Sequence, residues 1–97
     1  MPRALVVANI RFKDRQRYDR YAAVFPAVFA GSGGQVLAAD ENPQLQNGDA
    51  GGVEKIVVMR FENEDAATSF LNSPDYLRIA KDRDAGADVT SWIVKAF

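Results

Sequence analysis

The fold is encoded most clearly in residues 53 to 76, which read VEKIVVMRFENEDAATSFLNSPDY. The segment Val53 to Phe61 is rich in β-branched and aromatic residues and predicts a strand. Asn63 can cap a helix, because its side chain accepts hydrogen bonds from free backbone N–H groups. Ser73 can cap a second helix, and Pro74 suits its first position because proline already has a helical φ. The segment therefore predicts a strand followed by two helices.

The residues before this segment predict a strand, a helix and another strand. Ala4 to Phe12 alternates in the manner of a strand, with apolar residues on both faces. Asp14 is the expected N-cap of the helix, and Pro26 should kink that helix or restart it after Phe25. Gln35 to Ala39 reads as a short strand. The polar stretch after it, Asp40 to Gly52, is long for a hairpin loop.

The predicted order is completed at the C-terminal end, where Gly86 ends the third helix and Thr90 to Ala96 forms the last strand. The order β-α-β-β-α-α-β is that of the split βαβ, or ferredoxin-like, arrangement. We therefore predict an α+β sandwich, a four-stranded antiparallel sheet with helices on one face. The other face would be bare and apolar, which is typical of an interface. We expect a homodimer packed through this open sheet face with two-fold symmetry.

Composition excludes several classes of function. The 97 residues predict a single domain spanning 1–97, and the net charge of −1 argues against nucleic-acid binding. There is no cysteine and no histidine, which excludes thiolate chemistry, His-based acid–base catalysis and most zinc sites. We expect no cofactor, no metal and no membrane span. The opening residues lack the features of a signal peptide, so we expect a cytoplasmic protein.

Several motifs resemble those of the DUF1330 family of small bacterial proteins, within the dimeric α/β-barrel superfamily. They are residues 61–67 (FENEDAA), residues 70–76 (FLNSPDY), the downstream Arg83, residues 14–18 (DRQRY) and residues 33–38 (GGQVLA). The resemblance covers nearly the whole chain. It implies the ferredoxin-like fold and a dimer, and it supplies no reaction.

Four residues are candidates for a ligand site between helices and sheet. Tyr18 and Tyr21 share the apolar face of the first helix, where they either pack in the core or line a pocket. Tyr76 and Arg83 lie two turns apart on one helical face, and both belong to the motifs that resemble the family. Arg83 can hold a carboxylate or enolate with its fixed fork of donors, or it can form a structural ion pair.

Two further residues are weaker ligand-binding candidates. Asn72 either belongs to a simple break between helices or offers its amide to a ligand. Trp92 belongs to the core or an interface, or it stacks on a ligand.

Two classes of function stay open. The protein is either a small-molecule protein or a non-catalytic regulatory or interaction module. The first class includes a cofactor-independent enzyme resembling monooxygenases or isomerases, with Tyr or Arg as hydrogen-bond donors. A cavity reached by Tyr76 and Arg83 would favour ligand binding. A filled core with Arg83 paired to a carboxylate would favour a structural role.

Overall fold

The protein consists of one sheet and three helices, seen in a computed structural model that describes residues 3–97. The strands are β1 (Ala4–Phe12), β2 (Gln35–Asp40), β3 (Lys55–Phe61) and β4 (Ala87–Lys95), and the helices are α1 (Arg15–Phe29), α2 (Glu64–Leu71) and α3 (Pro74–Gly86). Met1 and Pro2, which belong to the predicted domain, lie outside the described residues.

The sheet has the strand order β2-β3-β1-β4, and every neighbouring pair is antiparallel. The predicted α+β, ferredoxin-like fold is therefore confirmed, together with the predicted order of elements. In β2 the pairing with β3 shifts register between Val36 and Ala38, which places a β-bulge at Leu37. All six residues of this edge strand are exposed.

The two faces of the sheet have different surroundings. Val6 and Ile10 of β1 and Met59 and Phe61 of β3 point toward the helices and are almost fully buried. The alternate residues form the outer face, which no helix in residues 3–97 covers. We define the outer face by its apolar members, Leu5, Val7, Ile56, Val58, Trp92 and Val94. The predicted alternation of the strands is correct, and Trp92 belongs to the outer face.

The helix starts follow from local signals in the sequence. Asp14, Asn63 and Ser73 each accept a hydrogen bond from the backbone N–H three residues later, as the three helix starts require. An N-cap of this kind contributes about 1 kcal/mol. Helix α1 does not restart at Pro26 but continues to Phe29, which corrects the prediction of a restart. A proline removes only one hydrogen bond there, and it lies on the exposed side of the helix.

Strand β4 begins at Ala87, three residues before the predicted start, so α3 passes into it without a loop. The reason is a close approach at Gly86, whose carbonyl accepts hydrogen bonds from the backbone N–H groups of Lys13 (2.8 Å) and Asp14 (3.0 Å). A Cβ atom at Gly86 would contact the backbone nitrogen of Tyr18 and lie 2.8 Å from the Asp14 carbonyl oxygen. Glycine is required at this contact, because any side chain would push α1 and α3 apart.

Candidate functional site

A cavity of about 180 Å³ lies between the helices and the inner face of the sheet. All four strands and all three helices contribute to its wall, which is largely apolar. All three tyrosines of the chain, Tyr18, Tyr21 and Tyr76, line it, and so does Arg83. The structure thus brings together four of the six residues predicted from the sequence as ligand-binding candidates.

A chain of hydrogen bonds connects three of these side chains. The Tyr21 and Tyr76 hydroxyls lie 3.0 Å apart, and Arg83 Nη1 donates to the Tyr76 hydroxyl oxygen at 2.8 Å. Tyr21 and Tyr76 come from α1 and α3, which are neighbouring helices. Both tyrosines are more than nine-tenths buried, so this polar chain is enclosed in the apolar wall.

The Arg83 guanidinium is held on a second side by Asp84. Nε and Nη2 of Arg83 both lie 2.9 Å from Asp84 Oδ1. Burial opposes the charge on Arg83, but the hydrogen bonds that Arg83 donates to Asp84, together with the electrostatic influence of Tyr76, Asp84 and Tyr21, outweigh it and raise the pKa of Arg83. Arg83 is therefore a fixed cation at the cavity wall. The sequence offered a pocket residue or an ion-paired residue as alternatives, and Arg83 is both.

The Tyr21 hydroxyl stays protonated at neutral pH. Burial raises the pKa of Tyr21 well above its ordinary value, and the neighbouring Tyr76 hydroxyl adds to the rise. Tyr21 can therefore donate or accept a hydrogen bond in the cavity, but it cannot serve there as an anionic base.

A row of aromatic rings with a cation at each end forms one wall of the cavity. Lys55 Nζ lies 4.9 Å from the centre of the Tyr18 ring, and the Arg83 Cζ atom lies 5.6 Å from the centre of the Tyr76 ring. The Tyr21 ring lies between these two rings, at 5.5 Å from Tyr18 and 6.2 Å from Tyr76. Cations over aromatic faces are favourable contacts, so both charges are held in place.

Lys55 was missed by the sequence analysis. It lies on the same face of β3 as Val57, Met59 and Phe61, which point toward the helices. The signal in the sequence that could have identified it is a lysine at an inward-facing position of an alternating strand. Its ammonium lies 3.6 Å from Glu41 Oε2, which also accepts from Arg15 Nη2 at 2.7 Å. Arg15 also pairs with Asp19 at 2.9 Å, so the two cations of this cluster are matched by two carboxylates, and Lys55 is the member of the cluster that lines the cavity.

Two predicted ligand-binding residues lie outside the cavity. The Asn72 amide donates to the Thr68 carbonyl at 2.9 Å and ends α2, so it serves the helix terminus. Trp92 pairs with Val7 on the outer face, on the other side of the sheet, and is 49% exposed. A β-strand alternates its side chains between the two faces, so Trp92 cannot share the cavity with Ser91.

A model of the family described as "Domain of unknown function (DUF1330)" matches residues 3–97. The chain belongs to the DUF1330 family. The resemblance seen in the motifs is thereby confirmed. Among proteins of curated function, no sequence matches this DUF1330 chain.

Solved structures share the fold of this DUF1330 chain at low sequence identity. The RPA0582 protein of unknown function from Rhodopseudomonas palustris has a TM-score of 0.81 and 17% identity, over 99% of this chain and 83% of that one. SnoaB, a cofactor-independent oxygenase from Streptomyces nogalater, has a TM-score of 0.73 and 14% identity, over 100% and 95%. A dimeric ferredoxin-like protein of unknown function from Thermobifida fusca has a TM-score of 0.68 and 14% identity, over 97% and 91%.

Within residues 3–97, no helix has both the length and the apolar composition needed to cross a membrane.

Proposed function

We propose that the protein binds a small organic molecule in the cavity between its helices and its sheet. The observation that carries this proposal is the enclosed chain Tyr21–Tyr76–Arg83 at the wall of an otherwise apolar cavity. Ligand sites typically combine an apolar wall with a few polar groups that orient the ligand. A purely structural core would fill this volume with side chains, because protein interiors are close-packed.

The test is ligand-observed NMR with a library of single-ring organic molecules, on the wild type and on a variant with a filled cavity. Ala22 lines the cavity from α1, and Ala22→Leu places additional atoms in it. Ala23→Leu is the matched control, because Ala23 is exposed and lies outside the cavity wall. Binding by the wild type and Ala23→Leu that is lost in Ala22→Leu supports the proposal. Binding that survives equally in both variants places the ligand elsewhere and refutes it.

The protein is further proposed to be a homodimer that buries the outer face. Trp92 (49% exposed) and Val94 (41% exposed) lie beside the half-buried Val7 and Leu5, so the face presents a continuous apolar surface. Exposed apolar patches of this kind on small proteins mark interaction sites. The fold neighbour from Thermobifida fusca is described as dimeric, which supports a dimer here.

Light scattering after size-exclusion chromatography tests the dimer. Trp92→Arg places a charge in the proposed interface, so we expect the mass of a monomer for this variant and of a dimer for the wild type. Leu77→Arg is the control, because Leu77 is similarly exposed (50%) but belongs to α3. A monomeric wild type would contradict the proposal, as would a Trp92→Arg variant that remains dimeric.

A second candidate function is proton transfer to a bound oxygen without a cofactor. Arg83 donates to the Tyr76 hydroxyl oxygen at 2.8 Å, where its positive charge can stabilise negative charge that develops in the transition state of a proton transfer to a ligand. The cofactor-independent oxygenase among the fold neighbours is compatible with such chemistry.

Enolisation of phenylpyruvate tests this second candidate. Tyr76 would give its proton to the ketone oxygen while water removes a proton from the neighbouring carbon, and Tyr76 is then reprotonated from solvent. We expect deuterium exchange at that carbon to be faster with the protein than in buffer and to slow by about tenfold or more in Tyr76→Phe. An exchange rate equal to that in buffer would reject this function.

A further inference from the structure

We infer that the ligand of the cavity is an organic anion of about one aromatic ring, such as an aryl-substituted carboxylate, with its anionic end toward Tyr76 and Arg83. This inference rests on the proposed function and specifies the chemistry of the bound molecule. It follows from the number of hydrogen-bond donors at the site, from the balance of charges and from the size of the cavity.

The polar chain has more hydrogens to donate than acceptors to receive them. Tyr21 and Tyr76 carry one hydroxyl hydrogen each, and their mutual hydrogen bond uses only one of the two. The Tyr76 oxygen also accepts from Arg83, which donates without accepting. Whichever tyrosine donates to the other, one O–H remains for a ligand. The site therefore offers a hydrogen-bond donor to the bound molecule, which suits a ligand that carries an acceptor such as a carboxylate oxygen.

The charges of the cavity wall also favour an anionic ligand. Lys55 and Arg83 line the cavity, and in the part of the chain that the structure describes no Asp or Glu does so. Their carboxylate partners, Glu41 and Asp84, lie outside the wall and have side chains that are 48% and 65% exposed. Water screens these exposed carboxylates more than it screens the enclosed cations. An anion in the cavity is thus attracted, whereas a cation is repelled.

The volume and the apolar wall of the cavity favour a ligand whose remaining part is a single aromatic ring. A cavity of about 150 Å³ lined by apolar side chains accommodates benzene. The volume of about 180 Å³ here leaves room for one ring and a short substituent. The tyrosine row provides flat surfaces for such a ring, since aromatic pairs favour offset and edge-to-face contacts.

The experiment compares three probes of nearly equal size, which are phenylacetate, phenylacetamide and toluene. Dissociation constants are measured by NMR titration on the wild type and on two variants of α3. Arg83→Gln removes the cavity cation. Arg78→Gln is the matched control, because Arg78 makes the same kind of ion pair with Asp75 on the same helix but is 68% exposed and lies outside the cavity. Folding of each variant is verified by circular dichroism.

We expect the wild type to bind phenylacetate about tenfold or more tightly than phenylacetamide, the factor typical of a charge-assisted hydrogen bond. Arg83→Gln should abolish this ratio while toluene binding stays within about twofold, and Arg78→Gln should retain the ratio. Equal affinity for the acid and the amide overturns the anion inference but leaves the proposed function intact. Failure of all three probes to bind overturns both.

Discussion

The close approach at Gly86 provides the sharpest test of how α1 and α3 are held together. The change is Gly86→Ala, which adds a single methyl group. That methyl group would meet the backbone of Tyr18 and Asp14, and the nearest atoms do not belong to flexible side chains that could move away. Relief therefore requires a shift of the whole helix start.

The expected loss of stability can be worked from these contacts. Inserting a methyl group into a packed interior costs about 1–3 kcal/mol. The same shift weakens the two hydrogen bonds to the Gly86 carbonyl, each contributing about 0.5–1.5 kcal/mol. Alanine favours the helical backbone by up to about 1 kcal/mol over glycine, which offsets part of the loss. The net destabilisation is about 3 kcal/mol, or a Tm lower by roughly 12–24 °C for a domain of this size.

Urea and thermal denaturation followed by circular dichroism measure this loss at one fixed protein concentration, because dimer formation would couple stability to concentration. Gly31→Ala is the control, since no atom lies within 4 Å of a Cβ at Gly31. We expect the control to stay within about 0.5 kcal/mol of the wild type. A Gly86→Ala variant equally close to the wild type would refute the interpretation that α1 and α3 meet at this contact.

Three further results follow from the site and the helix caps. Tyr76→Phe should lower the urea-derived free energy of unfolding by about 1–3 kcal/mol, and by more than Tyr21→Phe does, because the Tyr76 hydroxyl takes part in two hydrogen bonds. The reverse ranking would contradict the hydrogen-bond arrangement of Tyr21, Tyr76 and Arg83. Asn63→Ala should cost about 1 kcal/mol in the same assay, and an unchanged midpoint would show that its cap does not stabilise α2. The raised pKa of Tyr21 keeps its contribution to stability intact below about pH 10, the ordinary tyrosine pKa, and reduces it as the pH rises further. Urea midpoints measured across the alkaline range should therefore fall less steeply in Tyr21→Phe than in the wild type, and identical slopes would count against a raised pKa.

Local signals in the sequence predicted most of the fold. Asp14, Asn63 and Ser73 act on backbone groups three residues away, so each helix start could be predicted without knowing the tertiary structure. The bounds of β1 were predicted correctly for a similar reason, since its alternation and the polar residues after it are visible in the chain. The start of β4 could not be predicted in this way, because it depends on the contact of Gly86 with residues about 70 positions earlier.

The site was predicted only in part, for reasons of geometry. Tyr76 and Arg83 share a helical face, and that periodicity placed them together correctly. Their meeting with Tyr21 depends on how α1 packs against α3, which one helical pattern cannot specify. Lys55 was overlooked because a lysine near the start of a strand is usually solvated, and only the sheet register shows that it points inward.

The bulge in β2 has a consequence for how copies of this protein can associate. An edge strand with free N–H and C=O groups can recruit another strand and extend the sheet into an aggregate. In β2, Val36 (41% exposed) and Leu37 (47% exposed) would favour such growth. The register shift between Val36 and Ala38 breaks the even spacing of the free groups, so a straight strand cannot align along the edge. This irregularity disfavours open-ended growth along β2, whereas the proposed face-to-face dimer would be complete with two copies.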